Sequence, residues 1–190
     1  GLTGQSRSNS MIDNCYSSGN VSGYSHIGCL VGYNTSSSTI SNSHSLGTVF
    51  STGNNTGGLL GTNSSATVID CHSNAGVSGY SYVGGLVGWN NTSALIDNSY
   101  SVGDVNAEGP AGGLAGVNQY SSIIQNSYST GGVISYGCAS CGSVNSGGLL
   151  GMNQLNSIVR NCYSTGTANG NDNVGGLVGE QALNIENAYA

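Results

Sequence analysis

The sequence predicts an all-β fold, a parallel β-solenoid (β-helix) of about seven coils with ~28 residues per coil. Three observations predict it. A Gly-Leu-x-Gly tetrapeptide recurs with starts at 1, 29, 58, 85, 113, 148 and 176, in steps of 28, 29, 27, 28, 35 and 28 residues. Further columns of one residue type keep phase with it. The apolar runs between glycines are short and rich in β-branched and aromatic residues, which suits strands. Steps of this size belong to repeats that bury their apolar face only against their neighbours.

The elements of one coil follow in order. The tetrapeptide stands as Gly58-Leu59-Leu60-Gly61, Gly85-Leu86-Val87-Gly88 and Gly113-Leu114-Ala115-Gly116, with Cys29 replacing its first glycine in the second repeat. An Asn column follows at Asn34, Asn63, Asn90, Asn118 and Asn153, with Ser6 and Gln181 at its ends. An Ile/Val column comes next, at Ile12, Ile40, Ile69, Ile96, Ile124, Val159 and Ile185. A second Asn column lies at Asn14, Asn42, Asn98, Asn126, Asn161 and Asn187, and the third repeat reads as one residue short there. Cys15, Cys71 and Cys162 alternate with Ser43, Ser99 and Ser127. The aromatic column is Tyr16, His44, His72, Tyr100, Tyr128, Tyr163 and Tyr189. A glycine column (Gly19, Gly47, Gly76, Gly103, Gly131, Gly166) and a Val column (Val21, Val49, Val77, Val105, Val133) close the repeat. The pattern predicts two or three short strands per coil, stacked about 4.8 Å apart. Stacked Asn amides should form ladders that fix the register. Glycines should supply φ > 0 or close backbone approach. The reading is one β-solenoid over residues 1–190, with a loop insertion at 135–145 in the fifth repeat.

Composition excludes one class of partner. With two cationic residues against eight acids and a net charge of -6, the chain lacks the clustered cations that displace counterions from nucleic acid. No apolar run approaches the ~18 residues of a membrane span, so membrane insertion is not expected. The chain opens with neither an initiator Met nor a signal peptide, which reads as a mature, processed or excised piece.

These columns resemble the GLUG motif family, named for the glycine-leucine-any-glycine pattern. The resemblance covers nearly the whole chain and includes the flanking stretch Ile96-Asp97-Asn98-Ser99-Tyr100-Ser101-Val102-Gly103. It implies β-solenoid repeats of secreted or surface-anchored microbial proteins, adhesins among them, in which catalysis sits in other domains.

Candidate chemistry is sparse. Cys138 and Cys141, in a glycine-bracketed loop, are expected to form a small disulfide stapling the insertion. Cys15, Cys71 and Cys162 are about 9.6 Å apart or more, beyond disulfide reach, and should be small buried residues. Cys29 meets Cys15 only if the cross-section brings them together. His44 and His72 lack a third ligand and should stand in for Tyr. Asp70 and Asp97, stacked one coil apart, would give a weak calcium hint, and Arg160 should pair with Glu186. Sequons at Asn20, Asn34, Asn54, Asn63, Asn90 and Asn91 are candidates for N-glycosylation in a host that performs it. Facing outward, Tyr100, Tyr128 and Tyr163 would suit sugar stacking; facing inward or packed on a partner, they would be structural, the favoured use. The threonines fall in different columns, which argues against an ice-binding array.

The expected function is a non-catalytic structural or adhesive module of an extracellular or cell-surface protein. No cofactor or metal is expected, and host or surface glycans are candidate partners. The alternative is a filament subunit stacking with identical copies head to tail. A carbohydrate-binding or polysaccharide-degrading β-helix ranks below both; a degrading site needs acids together with a Lys or Arg on one face, and the two cations, Arg7 and Arg160, sit five repeats apart.

Overall fold

The computed structural model describes residues 1–137, 144–182 and 184–190, and among these there is no helix. One coil shows the plan. From Gly58-Leu59 the chain runs through Leu60–Ser64, Thr67–Ile69, His72–Ser73, Gly76–Gly79 and Ser81–Gly84 before the next motif at Gly85. Each strand pairs in parallel with its counterparts on the adjacent coils, giving two seven-stranded and three six-stranded sheets. The solenoid therefore has six turns. A partial seventh adds Val178–Gln181, Ile185–Glu186 and a single bridge from Tyr163 to Tyr189. We name the sheets, in the order above, the motif, isoleucine, aromatic, valine and closing sheets.

The parallel β-solenoid is as expected, but each coil has five strands rather than two or three. The reason lies in the corners. Asn14, Asn42, Asp70, Asn98, Asn126, Asn161 and Asn187 have φ between 44° and 54° and break the isoleucine strand from the aromatic one. Asn and Asp tolerate this left-handed region better than other non-glycine residues. The second Asn column is thus first a corner and only in part a ladder. Asn42 and Asn98 donate to Asp13 and Asp70, and an amide chain runs only through Asn187, Asn161 and Asn126.

Asp70 also corrects the register of the third repeat. Val68, not Ile69, pairs with Ile40 and Ile96 in the buried column, and Ile69 lies on the outer side between Ser41 and Asp97. The missing residue sits one corner earlier. The other five full coils turn there with two consecutive left-handed residues, such as Ser36 and Ser37 or Thr92 and Ser93, whereas the third has Ser65 alone. Likewise Ala75 occupies the glycine column, since a Cβ on Gly103 would strike the Ala75 carbonyl.

Two apolar columns fill the interior. The larger joins Leu30, Leu59, Leu86, Leu114 and Leu149 of the motif to Ile40, Val68, Ile96, Ile124 and Val159. The smaller joins Val49, Val77, Val105 and Val133 to Val83 and Ala111. Each fully buried Leu or Ile stabilises by about 1.5–3 kcal/mol. The motif glycines of the inner coils sit where backbone is crowded. A Cβ on Gly113 would lie 2.9 Å from Ser129 Oγ, and one on Gly116 would lie 2.5 Å from the Tyr82 carbonyl carbon. Among the described glycines only Gly47 and Gly137 have positive φ, at 100° and 74°. Close approach, not left-handed backbone, is what the motif demands of its glycines.

The first Asn column forms a continuous buried ladder. Asn34 Nδ2 donates to Asn63 Oδ1 at 3.1 Å, Asn63 to Asn90 at 2.9 Å, Asn90 to Asn118 at 2.8 Å and Asn118 to Asn153 at 2.9 Å. All five side chains are fully buried. The same amides also reach corner carbonyls, as Asn63 Nδ2 reaches those of Ala66 and Leu95 at 3.1 Å. Ser6 occupies the column ahead of Asn34 but bonds Ser10, so Asn34 Oδ1 is buried without a partner.

Candidate functional site

The aromatic column lies on the outer side of its sheet, because its five inner rings each precede a buried serine (Ser45, Ser73, Ser101, Ser129, Ser164) on a two-residue strand. Its seven rings stack face to face. Centroids are 4.8 to 5.4 Å apart and planes within 8° of parallel, from Tyr16–His44 to Tyr163–Tyr189. Ring faces are therefore covered by neighbouring rings, and solvent meets mainly ring edges. Sugar stacking needs a free face, so the outward ladder of Tyr100, Tyr128 and Tyr163 is not the sugar platform that outward orientation alone would have implied. His44 and His72 sit 4.9 Å apart within this stack. Burial, then the neighbouring His44, holds the His72 pKa below its usual value. His26, not singled out by the repeat pattern, is pushed the same way by burial and bonds Thr62 Oγ1 at 2.8 Å.

The cysteines divide. Cys138 and Cys141 lie outside the described residues. Cys15, Cys29, Cys71 and Cys162 are free. Cys15, Cys71 and Cys162 Sγ point to the carbonyls of Asp13, Ile69 and Arg160 at 3.2, 3.2 and 3.1 Å, the same i−2 contact that Ser43, Ser99 and Ser127 hydroxyls make. That shared bond explains why Cys and Ser interchange there. Cys29 Sγ faces the carbonyls of Gly19 and Leu46 instead. Burial pushes the Cys71 and Cys162 thiols up to about 11 and raises that of Cys29. The thiolate is the reactive form. A raised pKa keeps the neutral thiol until the pH approaches that value. At about pH 8, near the pKa of a free thiol, iodoacetamide should leave Cys29, Cys71 and Cys162 unmodified in native protein and modify all three after denaturation. Mass mapping that finds Cys71 alkylated as fast as a free thiol would contradict this packing.

The acids do not converge. Asp70 and Asp97 are not stacked, since Ile69 is the register partner of Asp97 and Asp70 forms the next corner. Asp97 accepts from Gln125 Nε2 and Asn126 Nδ2, each at 2.8 Å. Asp13 is held below the usual carboxylate value by the Ser41 hydroxyl and then the Asn42 amide. Arg160 is the register partner of Glu186, yet its guanidinium donates to Gln125 Oε1, with Nε at 2.8 Å. Gln125 already points its amide at Asp97, which leaves its oxygen aimed at Arg160 and draws the guanidinium back one coil. Among the described residues no group of three or more His, Cys, Asp or Glu could hold a metal ion.

Four sequons fail on burial. Asn34, Asn63 and Asn90 are ladder residues with no exposed surface, and Asn91 is 4% exposed and accepts from Ser64. A glycan there would require the coil to open. Asn20 and Asn54 are exposed.

An open site lies on the outer side of the valine sheet. A groove of about 260 Å³ is lined by Phe50, Ser78, Tyr80, Asn106, Glu108 and Tyr136 together with residues adjoining them in the chain. Phe50, Ser78, Asn106 and Ile134 are register partners on successive coils. Val49, Val77, Val105 and Val133 face the core, so their strand neighbours must face out. Phe50 and Tyr136 are more than half exposed and flank the polar Ser78 and Asn106. A second hollow of about 240 Å³, lined by Asp104, Asn106, Ile134, Thr167 and Asn169, shares Asn106 and continues the trough. The columns did not reveal this site, because its residues are departures from columns. The available signal was the chain's one phenylalanine in a position held on the other coils by Ser22, Ser78, Asn106, Ile134 and Asn169.

Five stacked parallel sheets with in-register ladders define a β-solenoid repeat region. The family model of the GLUG motif matches residues 79–106, one full turn from the end of a valine strand through Gly85-Leu86-Val87-Gly88 to the next. The chain carries a GLUG motif there, as the columns led us to expect. No curated protein and no solved structure matches the chain.

Proposed function

We propose that the chain is a non-catalytic structural and adhesive module of an extracellular or cell-surface protein. The observation that carries this reading is the contrast between its faces. The buried Asn ladder and the aromatic stack spend their hydrogen bonds and ring faces on neighbouring coils, while the outer side of the valine sheet leaves aromatic surface free. The Asp13 and Asp97 carboxylates are engaged by amides and hydroxyls of adjoining coils rather than paired with one another for acid–base work. A rod of six turns is about 30 Å long at the strand spacing, which suits a spacer segment that also displays a binding face.

The test is adhesion of beads coated with the protein to mucin- and polysaccharide-coated surfaces, alongside electron microscopy of the free chain. Retention of coated over bare beads, with short discrete rods, supports the module. Equal retention of coated and bare beads overturns the adhesive part. Filaments of indefinite length would replace it with head-to-tail assembly.

A further inference from the structure

We propose that the Phe50–Tyr136 groove binds a neutral oligosaccharide, a proposal that rests on the adhesive reading above. The two aromatic side chains stand three coils apart along the axis, a span of about 14 Å at the strand spacing, and between them lie the hydroxyl of Ser78 and the amide of Asn106. Exposed aromatic rings offer faces to the apolar side of a sugar ring, and polar groups between them take its hydroxyls. The groove runs along the rod and passes through Asn106 into the second hollow, so it accommodates a linear chain rather than a single compact ligand.

Charge selects among polymers. The ionisable acids along the trough are Glu108 in the first hollow and Asp104 in the second, and Asp104 Oδ1 already accepts from the Gly132 amide at 2.8 Å. No Lys or Arg lines either hollow, and the whole chain has only two cations. Sulfated or uronic-acid polymers and nucleic acid would meet uncompensated negative charge. A neutral glycan would instead donate hydroxyls to the Glu108 carboxylate, which remains exposed and able to accept them.

The exposure of the aromatic walls makes the test clean, because truncating them removes little packing. Titration calorimetry of the whole chain with neutral oligosaccharides (cello-, xylo- and manno-hexaose) should show saturable binding by at least one. Phe50→Ala and Tyr136→Ala should each weaken it about tenfold or more, as loss of an aromatic anchor does, with unchanged melting temperature. Glu108→Gln should weaken neutral-sugar binding less than either. Absence of binding by all three sugars, binding unaltered in both aromatic variants, or preference for a polyanion or a basic peptide would overturn the proposal. Bead adhesion that persists but is not competed by the sugars sinks the groove and spares the adhesive module. Sugar binding in solution without bead adhesion does the reverse.

Discussion

Gly116→Val is expected to be strongly damaging to the interior of the rod. A Cβ at this position would lie 2.5 Å from the Tyr82 carbonyl carbon, 2.6 Å from the Val83 nitrogen and 2.7 Å from the Gly88 carbonyl oxygen. All three are backbone atoms, so no rotamer change relieves the contact, and the coil itself must move. Overpacking that soft side chains absorb costs about 1–3 kcal/mol; a backbone clash belongs at or above the top of that range. In a solenoid, stability is a sum of coil and neighbour terms. The damage should therefore concentrate where Tyr82, Gly88 and Gly116 meet. Hydrogen exchange should show lost amide protection in those coils while Leu30 and Val31 stay protected, and urea unfolding should begin earlier. An unchanged melting temperature would show that the motif glycines are not there for close approach.

Asn90→Leu is expected to cost about 2–4 kcal/mol, mostly through what it leaves behind. The two side chains have the same number and branching of heavy atoms, so Leu follows the outline of Asn, with its bulkier methyls adding some overpacking. Yet Asn118 Oδ1 loses its donor at 2.8 Å, and the Ala94 and Ile123 carbonyls lose a weaker one at 3.4 Å each. Asn63 Nδ2 keeps its two carbonyl partners at 3.1 Å and suffers less. Burial of these amides denies water as a substitute. Denaturant titration of Asn90→Leu beside Asn98→Leu separates the two Asn columns. Asn98 donates to exposed Asp70 rather than into the core, so its loss acts on a corner and on that exposed contact. Equal and small losses at both positions would refute the buried ladder as a stabilising element.

Much of the fold was legible because axial stacking turns one spatial column into one sequence period. The Leu, Asn and aromatic columns all fell where the register places them. Legibility failed where the chain bends. Nothing in side-chain periodicity marks a two-residue strand such as His72–Ser73, and its flanks became visible only through the left-handed φ of Asp70. The third repeat slipped because Val68 and Ile69 are both apolar, so alignment on the motif alone could not choose the inward one. The aromatic ladder was readable as a column, but whether its rings offered faces or edges depended on their tilt against one another, which spacing does not encode. The groove was hidden for a different reason. Phe50 stands in one column and Glu108 and Tyr136 in another, and within each column the residue type changes from coil to coil, so a search for periodicity discards them.

The buried Asn ladder has a consequence beyond its strength. Every carboxamide in it is oriented alike, nitrogen toward the next coil and oxygen toward the one before. The file of dipoles therefore has an arrow, and aligned hydrogen bonds polarise one another. Each coil accepts a neighbour on one side only as a donor and on the other only as an acceptor, so a duplicated or transplanted coil is compatible in one orientation alone. At the tail of the arrow, Asn34 Oδ1 still waits for a donor that Ser6 does not give.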